Sequence, residues 1–368
     1  MLYLDYSATT PPNVEVLKEF LLDNYQYFAN ANALYSLGDT NKKAIKNIER
    51  SILKHLNLVK YEIVFTSGAT EANNLVIKGL SEYLKDEKKR IITSSLEHSS
   101  IVAPFNDLAK KGFVVNLVNH HESGEIDLEH LKELLGPDVA FVSLSSLNSE
   151  TGVRQPIEQI SKLVRNAGAY FHCDITQTLG KERINFSAID LMTFSAHKFY
   201  GLQGIGALIK RKDIKLIKQI QGGRSTSNYR SGTPSVPLIR SLWRALSLAN
   251  QGLDQKYNKV QSLNDYLRIQ LEKNPSVVIN SPLNSIPHIL NFSLLGTNSS
   301  KVVKELSKQE IYISNHTACT SQTTISHVIY QLTQNKKRAN SSLRVSLSHL
   351  THKKDLKYLI LELRKLMK

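Results

Sequence analysis

The chain has 368 residues, 41% of them hydrophobic and 21% charged, with a formal charge of +15 at pH 7. That composition excludes a disordered chain and suits a large core with a smaller partner unit. No run approaches the roughly 18 apolar residues of a membrane span, and two distant cysteines, Cys173 and Cys319, exclude a disulfide framework and fit a reducing cytoplasm.

Met-Leu-Tyr-Leu-Asp-Tyr-Ser at the N-terminus lacks a basic head, an apolar run and a small-residue cleavage site, so no secretory signal is expected. From about residue 60 to 210 short β-rich runs alternate with amphipathic stretches. Strands are predicted at Glu62–Phe65, Arg90–Thr93, Phe113–Leu117, Val139–Leu144, Ala169–Asp174, Leu191–Ser195 and Gly206–Ile209. Helices Ala72–Leu84, Leu128–Leu135 and Ile157–Asn166 fall between the earlier ones. Apolar strands separated by helices imply a mostly parallel sheet buried on both faces. A long helical pattern follows over Val236–Lys273. Then come strand His288–Ser293, helix Ser299–Ser307, strands Ile311–Ile313 and Leu343–Ser346, and helix Lys353–Leu366, a smaller α+β rhythm.

The chemistry is sought beyond the carboxyl ends of the strands, where open parallel sheets gather their functional residues. Thr66-Ser67-Gly68-Ala69-Thr70-Glu71 opens a helix after the first strand. Its backbone N–H groups suit a phosphate, or Ser67 or Thr70 is an ordinary N-cap. Glu97-His98 follows the second strand, and Asp174, with Gln177 three residues on, ends the fifth. Ser195-Ala196-His197-Lys198 ends the sixth, ahead of glycines at 201, 204 and 206. An enclosed lysine there is desolvated and made nucleophilic. Pyridoxal 5′-phosphate requires such a set: a lysine amine, an acidic group at the pyridine nitrogen, donors to the phenolate oxygen and a polar cradle for phosphate. Lys198, Asp174, Gln177 and the Thr70, Ser195 and His197 group supply them. No metal is expected.

In this order the motifs resemble those of the cysteine desulfurases, in the class V aminotransferase branch of the fold-type I pyridoxal phosphate enzymes, over essentially the whole length. Tyr3–Pro11 resembles the family's opening segment, Glu62–Asn73 (EIVFTSGATEAN) its phosphate loop, and Glu97-His98 the motif whose histidine lies over the cofactor and relays protons. His172–Gln177 resembles the strand end with the pyridine aspartate and phenolate-binding glutamine, and Ser195–Gly201 (SAHKFYG) the segment holding the cofactor lysine. Arg230-Ser231-Gly232-Thr233 resembles a segment reaching the phosphate of a neighbouring subunit. Ala318-Cys319-Thr320-Ser321 resembles the loop of the sulfur-accepting cysteine, and Ser342–Ser346 the strand whose Arg344 holds the substrate carboxylate.

The resemblance implies a large cofactor domain over residues 14–250, with a seven-stranded sheet between helices. Residues 1–13 and 251–368 then form a small α+β domain carrying the cysteine loop. It implies L-cysteine as substrate, L-alanine as product, a homodimer, and sulfur passed from Cys319 as a persulfide to an acceptor protein for iron–sulfur cluster assembly or for thiolation of tRNA or a cofactor. Ala69, Thr70, Ser195, His197 and Thr233 are the expected phosphate contacts, with Asn148 and Ser149 beside Arg344 at the substrate. Cys319 sits among Asn315, His316, Thr317, Thr320 and Ser321, poor company for a packed hydrophobe, whereas Cys173 reads as packing within a strand.

Several positions depart from the pattern. Ser149 stands where the family has a second asparagine, Ser225-Thr226 where it often has a Gln- or His-Glu pair, Tyr35 for a histidine, and His316-Thr317 for Gly-Ser. A selenocysteine lyase, another class V enzyme or a weakly active scaffold for sulfur-transfer partners are the alternatives. The charge raises nucleic acid as a partner, but Lys336-Lys337-Arg338 and Lys353–Lys368 lack the interleaved aromatic pattern that grips single strands, and direct binding is not expected.

Overall fold

The computed structural model describes residues 1–223, 225–315 and 325–366. The chain begins with β1 (Leu2–Tyr3), α1 (Val14–Gln26) and α2 (Ser36–His55). It continues through β2 (Tyr61–Thr66), α3 (Ala69–Leu84), β3 (Arg90–Ser94), α4 (Ser99–Lys110), β4 (Val114–Val118) and α5 (Leu128–Leu134). After these come β5 (Val139–Ser145), α6 (Ile157–Asn166), β6 (Tyr170–Asp174), β7 (Leu191–Ser195) and β8 (Gly206–Arg211). All seven expected strands form one sheet in the order β2-β8-β7-β6-β5-β3-β4. Their ends differ from expectation by at most two residues. Pairings are parallel from β7 to β4, and β8 is antiparallel to both of its neighbours. β2 therefore points the same way as β7, and the residues after β2, β3, β5, β6 and β7 meet at one edge.

Period-two alternation sends side chains to two helical layers. On β7, Leu191 packs with Leu75, Leu80 and Phe105 from α3 and α4, while Met192 and Phe194 join Ile160, Leu242 and Leu246 from α6 and α7 on the other face. Here α7 is Val236–Asn250, capped by Ser235, whose Oγ accepts from the Leu238 N–H. Cys173 on β6 is fully buried in the second of these clusters, and burial raises its thiol pKa well above the ordinary value.

The continuous helix expected over Val236–Lys273 is two helices, α7 and α8 (Leu253–Leu271). Gln251 is extended and Gly252 takes φ 62°, a left-handed conformation that a glycine adopts without steric cost and that ends one helix and starts the next. The remaining elements are β9 (Val277–Ile279), β10 (Ile289–Leu294), α9 (Ser299–Lys308), β11 (Ile311–Tyr312), α10 (His327–Thr333), α11 (Lys336–Asn340), β12 (Ser342–Ser346) and α12 (Lys353–Lys365). An antiparallel sheet runs β12-β10-β9, and β1 pairs in parallel with β11. A separate apolar cluster joins Leu4 to residues between Val260 and Leu363. Among the described residues no helix is long and apolar enough to cross a membrane.

Helices α1, α2 and α4 were not anticipated from periodicity. In α1 much of the apolar surface faces outward: Leu21 and Leu22 are exposed, as are Tyr25 and, just beyond, Phe28, Leu34 and Tyr35. The helix is anchored by its polar side, where Arg240 Nε of α7 donates to the buried Asp23 carboxylate at 2.8 Å. In α4, Pro104 lies inside the helix and removes one backbone donor.

The edge where the site forms is closely packed. At Gly206, the first residue of β8, an added Cβ would lie 2.4 Å from the Phe194 carbonyl oxygen and 2.6 Å from Gly68 Cα. Neither backbone atom yields cheaply. Gly206→Ala is expected to destabilise the fold by about 1–3 kcal/mol, the usual effect of overpacking. A urea titration monitored by circular dichroism checks this, and an unchanged midpoint would show that the Gly68 turn relaxes without cost.

Candidate active site

One cavity of about 220 Å³ opens at the shared strand edge. Its wall takes Ala69 and Thr70 from the start of α3, His98 after β3, Asn148 and Ser149 after β5, Asp174, Thr176 and Gln177 after β6, and Ser195, His197 and Lys198 after β7. The N-terminal segment adds Ser7 and Ala8, and Arg344 reaches in from β12. Eleven of the thirteen side chains singled out from sequence thus converge: Ala69, Thr70, His98, Asn148, Ser149, Asp174, Gln177, Ser195, His197, Lys198 and Arg344.

Lys198 closes a single 3₁₀ turn that follows β7 directly. Its Nζ donates to the carbonyl oxygens of Ser7 (2.6 Å) and Ala8 (2.7 Å), which hold the amine at the cavity wall. Asp174 is 8% exposed. Its Oδ1 accepts from the Thr176 N–H and its Oδ2 from Asn73 Nδ2, each at 2.9 Å. Behind it His172 contacts Ser143 Oγ through Nδ1 and Thr193 Oγ1 through Nε2. Burial pushes the His172 pKa down to about 4, so this ring is neutral at pH 7 and is a hydrogen-bonded part of the core.

The carboxylate is linked to His98. Asn73 Nδ2 also donates to Ser100 Oγ (2.9 Å), which lies 2.8 Å from His98 Nδ1. The Ser100 backbone N–H donates to the same Nδ1, so His98 caps α4. A backbone N–H only donates, so Nδ1 is an acceptor and the neutral ring carries its proton on Nε2. Burial lowers the His98 pKa, which favours that neutral form. Glu97 fastens the loop from its other side, accepting from the backbone N–H (2.9 Å) and Oγ (2.5 Å) of Ser145 and from Ser94 Oγ (3.1 Å). Burial raises its carboxyl to about 7 despite those bonds.

At the phosphate-type turn neither Ser67 nor Thr70 caps the helix. Gly68 is the N-cap and makes no side-chain bond, and the Ala69 N–H is taken by Ser195 Oγ at 2.6 Å. The first-turn N–H groups of Thr70 and Glu71 have no intrahelical acceptor. His197 Nδ1 contacts Thr9 Oγ1, and burial with the neighbouring Lys198 and Lys181 charges brings its pKa down to about 4.

Arg344 is 2% exposed. Its Nη2 donates to Asp5 Oδ1 (2.7 Å) and its Nη1 to the Ser149 carbonyl (3.0 Å), while among the described residues Nε has no hydrogen-bond partner. The Asn148 amide is engaged on both sides: Nδ2 donates to the Leu96 carbonyl of the loop after β3, and Oδ1 accepts from the N–H groups of Glu150 and Thr151 in its own turn. Ser149 meets Arg344 through its main chain.

Two expected residues are elsewhere. Thr233 lines a second cavity with Thr66, Ser67, Gly204 and Arg230. Arg230 ties that segment to α3 through Glu71 (3.0 Å). Burial alone would raise the Glu71 carboxyl, but the bonds from Ser67 and Arg230 outweigh it and hold the pKa below its ordinary value. Cys319, with its neighbours His316 and Thr317, lies outside the described residues. Sequence reading assigned no role to Asp5, Asn73, Thr176 or the Ser7 and Ala8 carbonyls. Asp5 and Asn73 stood inside recognised motifs, but main-chain carbonyls leave no mark in a sequence.

These groups fit pyridoxal phosphate. A buried carboxylate and a lysine line one cavity, a helix start turns N–H groups without intrahelical acceptors towards it, and among the described residues the Thr176 hydroxyl and Arg344 Nε are buried polar atoms without partners. Among the described residues no group of three or more His, Cys, Asp or Glu side chains is placed to hold a metal.

The family model for class V aminotransferases matches residues 2–359. Cysteine desulfurase IscS of Dictyoglomus turgidum is 35% identical over 364 residues, covering 97% of this chain and 92% of the relative. The IscS of Buchnera aphidicola from Acyrthosiphon pisum is 36% identical over 366 residues, covering 96% and 90%. Among solved structures, a NifS-like protein superposes with a TM-score of 0.92 at 28% identity, covering 100% of this chain and 99% of that one. SspA in complex with cysteine gives 0.84 at 30% identity, covering 96% and 100%. The chain belongs to the class V aminotransferases and, within them, to the cysteine desulfurase family.

Proposed function

We propose that the protein is a pyridoxal phosphate-dependent cysteine desulfurase that converts L-cysteine to L-alanine and carries the sulfur on Cys319 to an acceptor. The observation that carries this reading is the meeting of Lys198, Asp174, His98 and Arg344 around one cavity. The IscS relatives and the SspA structure solved with cysteine support it.

Lys198 would hold the cofactor through its amine, Asp174 would pair with the protonated ring nitrogen, and Gln177 would donate to the phenolate oxygen. Ala69, Thr70, Ser195 and His197 would contact the phosphate, with Thr233 supplied by a second subunit. When bound, the group supplies the electron sink that makes the substrate's Cα–H and Cβ–S bonds labile. Arg344, held in place by Asp5 and the Ser149 carbonyl, presents its remaining N–H groups to the substrate carboxylate. Lys198 moves the Cα proton, and His98, with its proton on Nε2, moves one between substrate and site. The Cys319 thiolate takes the sulfur: the substrate Cβ–S bond breaks, an S–S bond forms, and carbon keeps the electron pair and gains a proton. A thiolate is required because the thiol is a poor nucleophile.

Residues 14–250 are read as the cofactor domain, and 1–13 with 251–368 as the small domain, a division supported by their separate apolar clusters. The working form is a cytoplasmic homodimer. Leu21, Leu22, Tyr25, Phe28 and Leu34 are large apolar side chains exposed on and just beyond α1, and exposed apolar patches mark interaction surfaces. A second copy covering that face would also bring a Thr233 to the neighbouring site. Iron–sulfur cluster assembly, suggested by the relatives' IscS name, and tRNA or cofactor thiolation are the pathways this chemistry serves.

Borohydride reduction and peptide mapping should place the cofactor on Lys198; another lysine, or no adduct, overturns the reading. Cys319→Ser should keep the cofactor and its spectral response to cysteine yet form no persulfide and little alanine. Sulfide release at the wild-type rate would make Cys319 a bystander. Leu21→Glu with Leu22→Glu should shift the sedimentation coefficient from dimer towards monomer and weaken cofactor retention, and a dimer that keeps its cofactor would remove this face from the interface.

A further inference from the structure

Gln177 sits at the cavity wall and its side chain joins two partners. Nε2 donates to the Ser7 carbonyl at 3.1 Å, and Oε1 accepts from Lys181 Nζ at 2.7 Å. A glutamine amide can turn over by half a rotation, exchanging O and NH₂ with almost no change of shape, so its direction is set by its partners alone. The Ser7 carbonyl is shared, because Lys198 Nζ donates to it at 2.6 Å. The amide is thus guided from both ends, by the Ser7 carbonyl at its NH₂ and by Lys181 at its oxygen. Lys181 has no such second duty.

Lys181 is 8% exposed, on the turn that follows Gln177 by four residues. Among the described residues it forms no ion pair. The Glu182 carboxylate beside it is occupied by Arg154, whose Nε and Nη2 donate to it at 2.9 and 2.8 Å. Burial, with the Lys198 and Arg344 charges, pushes the amine down to about 7. Either protonation state keeps hydrogens for Gln177 Oε1. A buried lysine without a carboxylate partner is costly, and an apolar residue of similar length would avoid that cost. The hydrogen bond to Gln177 is what the lysine makes in return.

We infer that Lys181 is a positioning residue that fixes the Gln177 amide with its NH₂ directed away from Lys181, as a donor to an anionic cofactor oxygen. This inference rests on the cofactor reading above. An amide turned the other way would present oxygen to oxygen, so losing Lys181 removes a bond and admits a repulsive orientation.

A double-mutant cycle on the holoenzyme tests it. The variants are Lys181→Met, Gln177→Ala and the pair, read by the visible absorption band of the bound cofactor and by its rate of loss on dialysis. Lys181→Met should shift the band and speed loss about three- to tenfold, the value of one hydrogen bond. In the Gln177→Ala background the same change should add less than about twofold, because its means of action is gone. Equal effects in both backgrounds would show that Lys181 acts by charge or packing, and no effect in the wild-type background would give it no role. If Lys181→Met does not fold, Lys181→Gln replaces it in the cycle, since an amide offers an acceptor as readily as a donor and leaves Gln177 undirected. Wild-type protein without cofactor on Lys198 would overturn both readings, whereas a loaded wild type with an additive cycle overturns this one alone.

Discussion

Much of the site depends on how residues 5–13 lie across it. Ser7 gives its carbonyl to Lys198 and Gln177, Ala8 gives its carbonyl to Lys198, and Thr9 contacts His197. Thr10 donates to the His197 carbonyl through both N–H and Oγ1, and its Oγ1 accepts from the Tyr200 N–H. At its other end the strap bridges in parallel to Ser346, Asp5 pairs with Arg344, and Leu4 enters the second apolar cluster. One segment thus sets the distance between the Lys198 turn and the Arg344 strand. Since these belong to different cores, no single core could fix it. A rate that depends on near-attack placement is sensitive to displacements of about 1 Å, and the many short bonds of the strap resist them.

The polar groups that link Asp174 to His98 are tolerable in the large core because they are matched to one another. Asp174, Asn73, Ser100 and His98 form a continuous chain, with Thr193 and His172 as side branches. Breaking one link would leave a buried group unsatisfied, which typically costs about 1–3 kcal/mol. The Ser100 backbone N–H at the end of this chain sets the tautomer of His98, so the N-cap ring keeps its neutral-form proton on Nε2. Glu97 adds a second restraint from β5, leaving the histidine loop pinned to two strands.

Sequence made the large sheet readable because its strands are short, apolar and separated by helices, a pattern with few alternative folds. It was less informative where a residue's partner is far away in the chain. α1 turns apolar residues outward and is held by Asp23 and Arg240, so a reading in which apolar means buried misplaces it. The break at Gln251-Gly252 was hidden because apolar residues continue at helical spacing on both sides. Lys198 and Asp174 stood out by position at strand ends, whereas Arg344, inside β12, stood out only through its motif. Asn148 was legible as a site residue, but not as one whose amide is consumed by the Glu150 and Thr151 turn. Ser149 enters through a carbonyl that any residue possesses, which explains how a serine occupies a position the family gives to asparagine without disturbing Arg344.

The placement of charge also narrows what the cavity accepts. The Lys198 and Arg344 charges lower the Lys181 pKa, while Asp5 pairs with Arg344 and Asp174 accepts from Asn73. The first turn of α3 adds its positive end. An anionic ligand therefore offsets the positive charge that Lys198 and Lys181 bring to this region, and a neutral one does not. Pyridoxal phosphate and an amino-acid carboxylate would bring negative charge to separate parts of the wall, at the helix start and at β12. That difference favours cofactor retention and substrate orientation together, and it gives the buried Lys181 a physical setting: its charge is least costly when the cavity beside it holds anions.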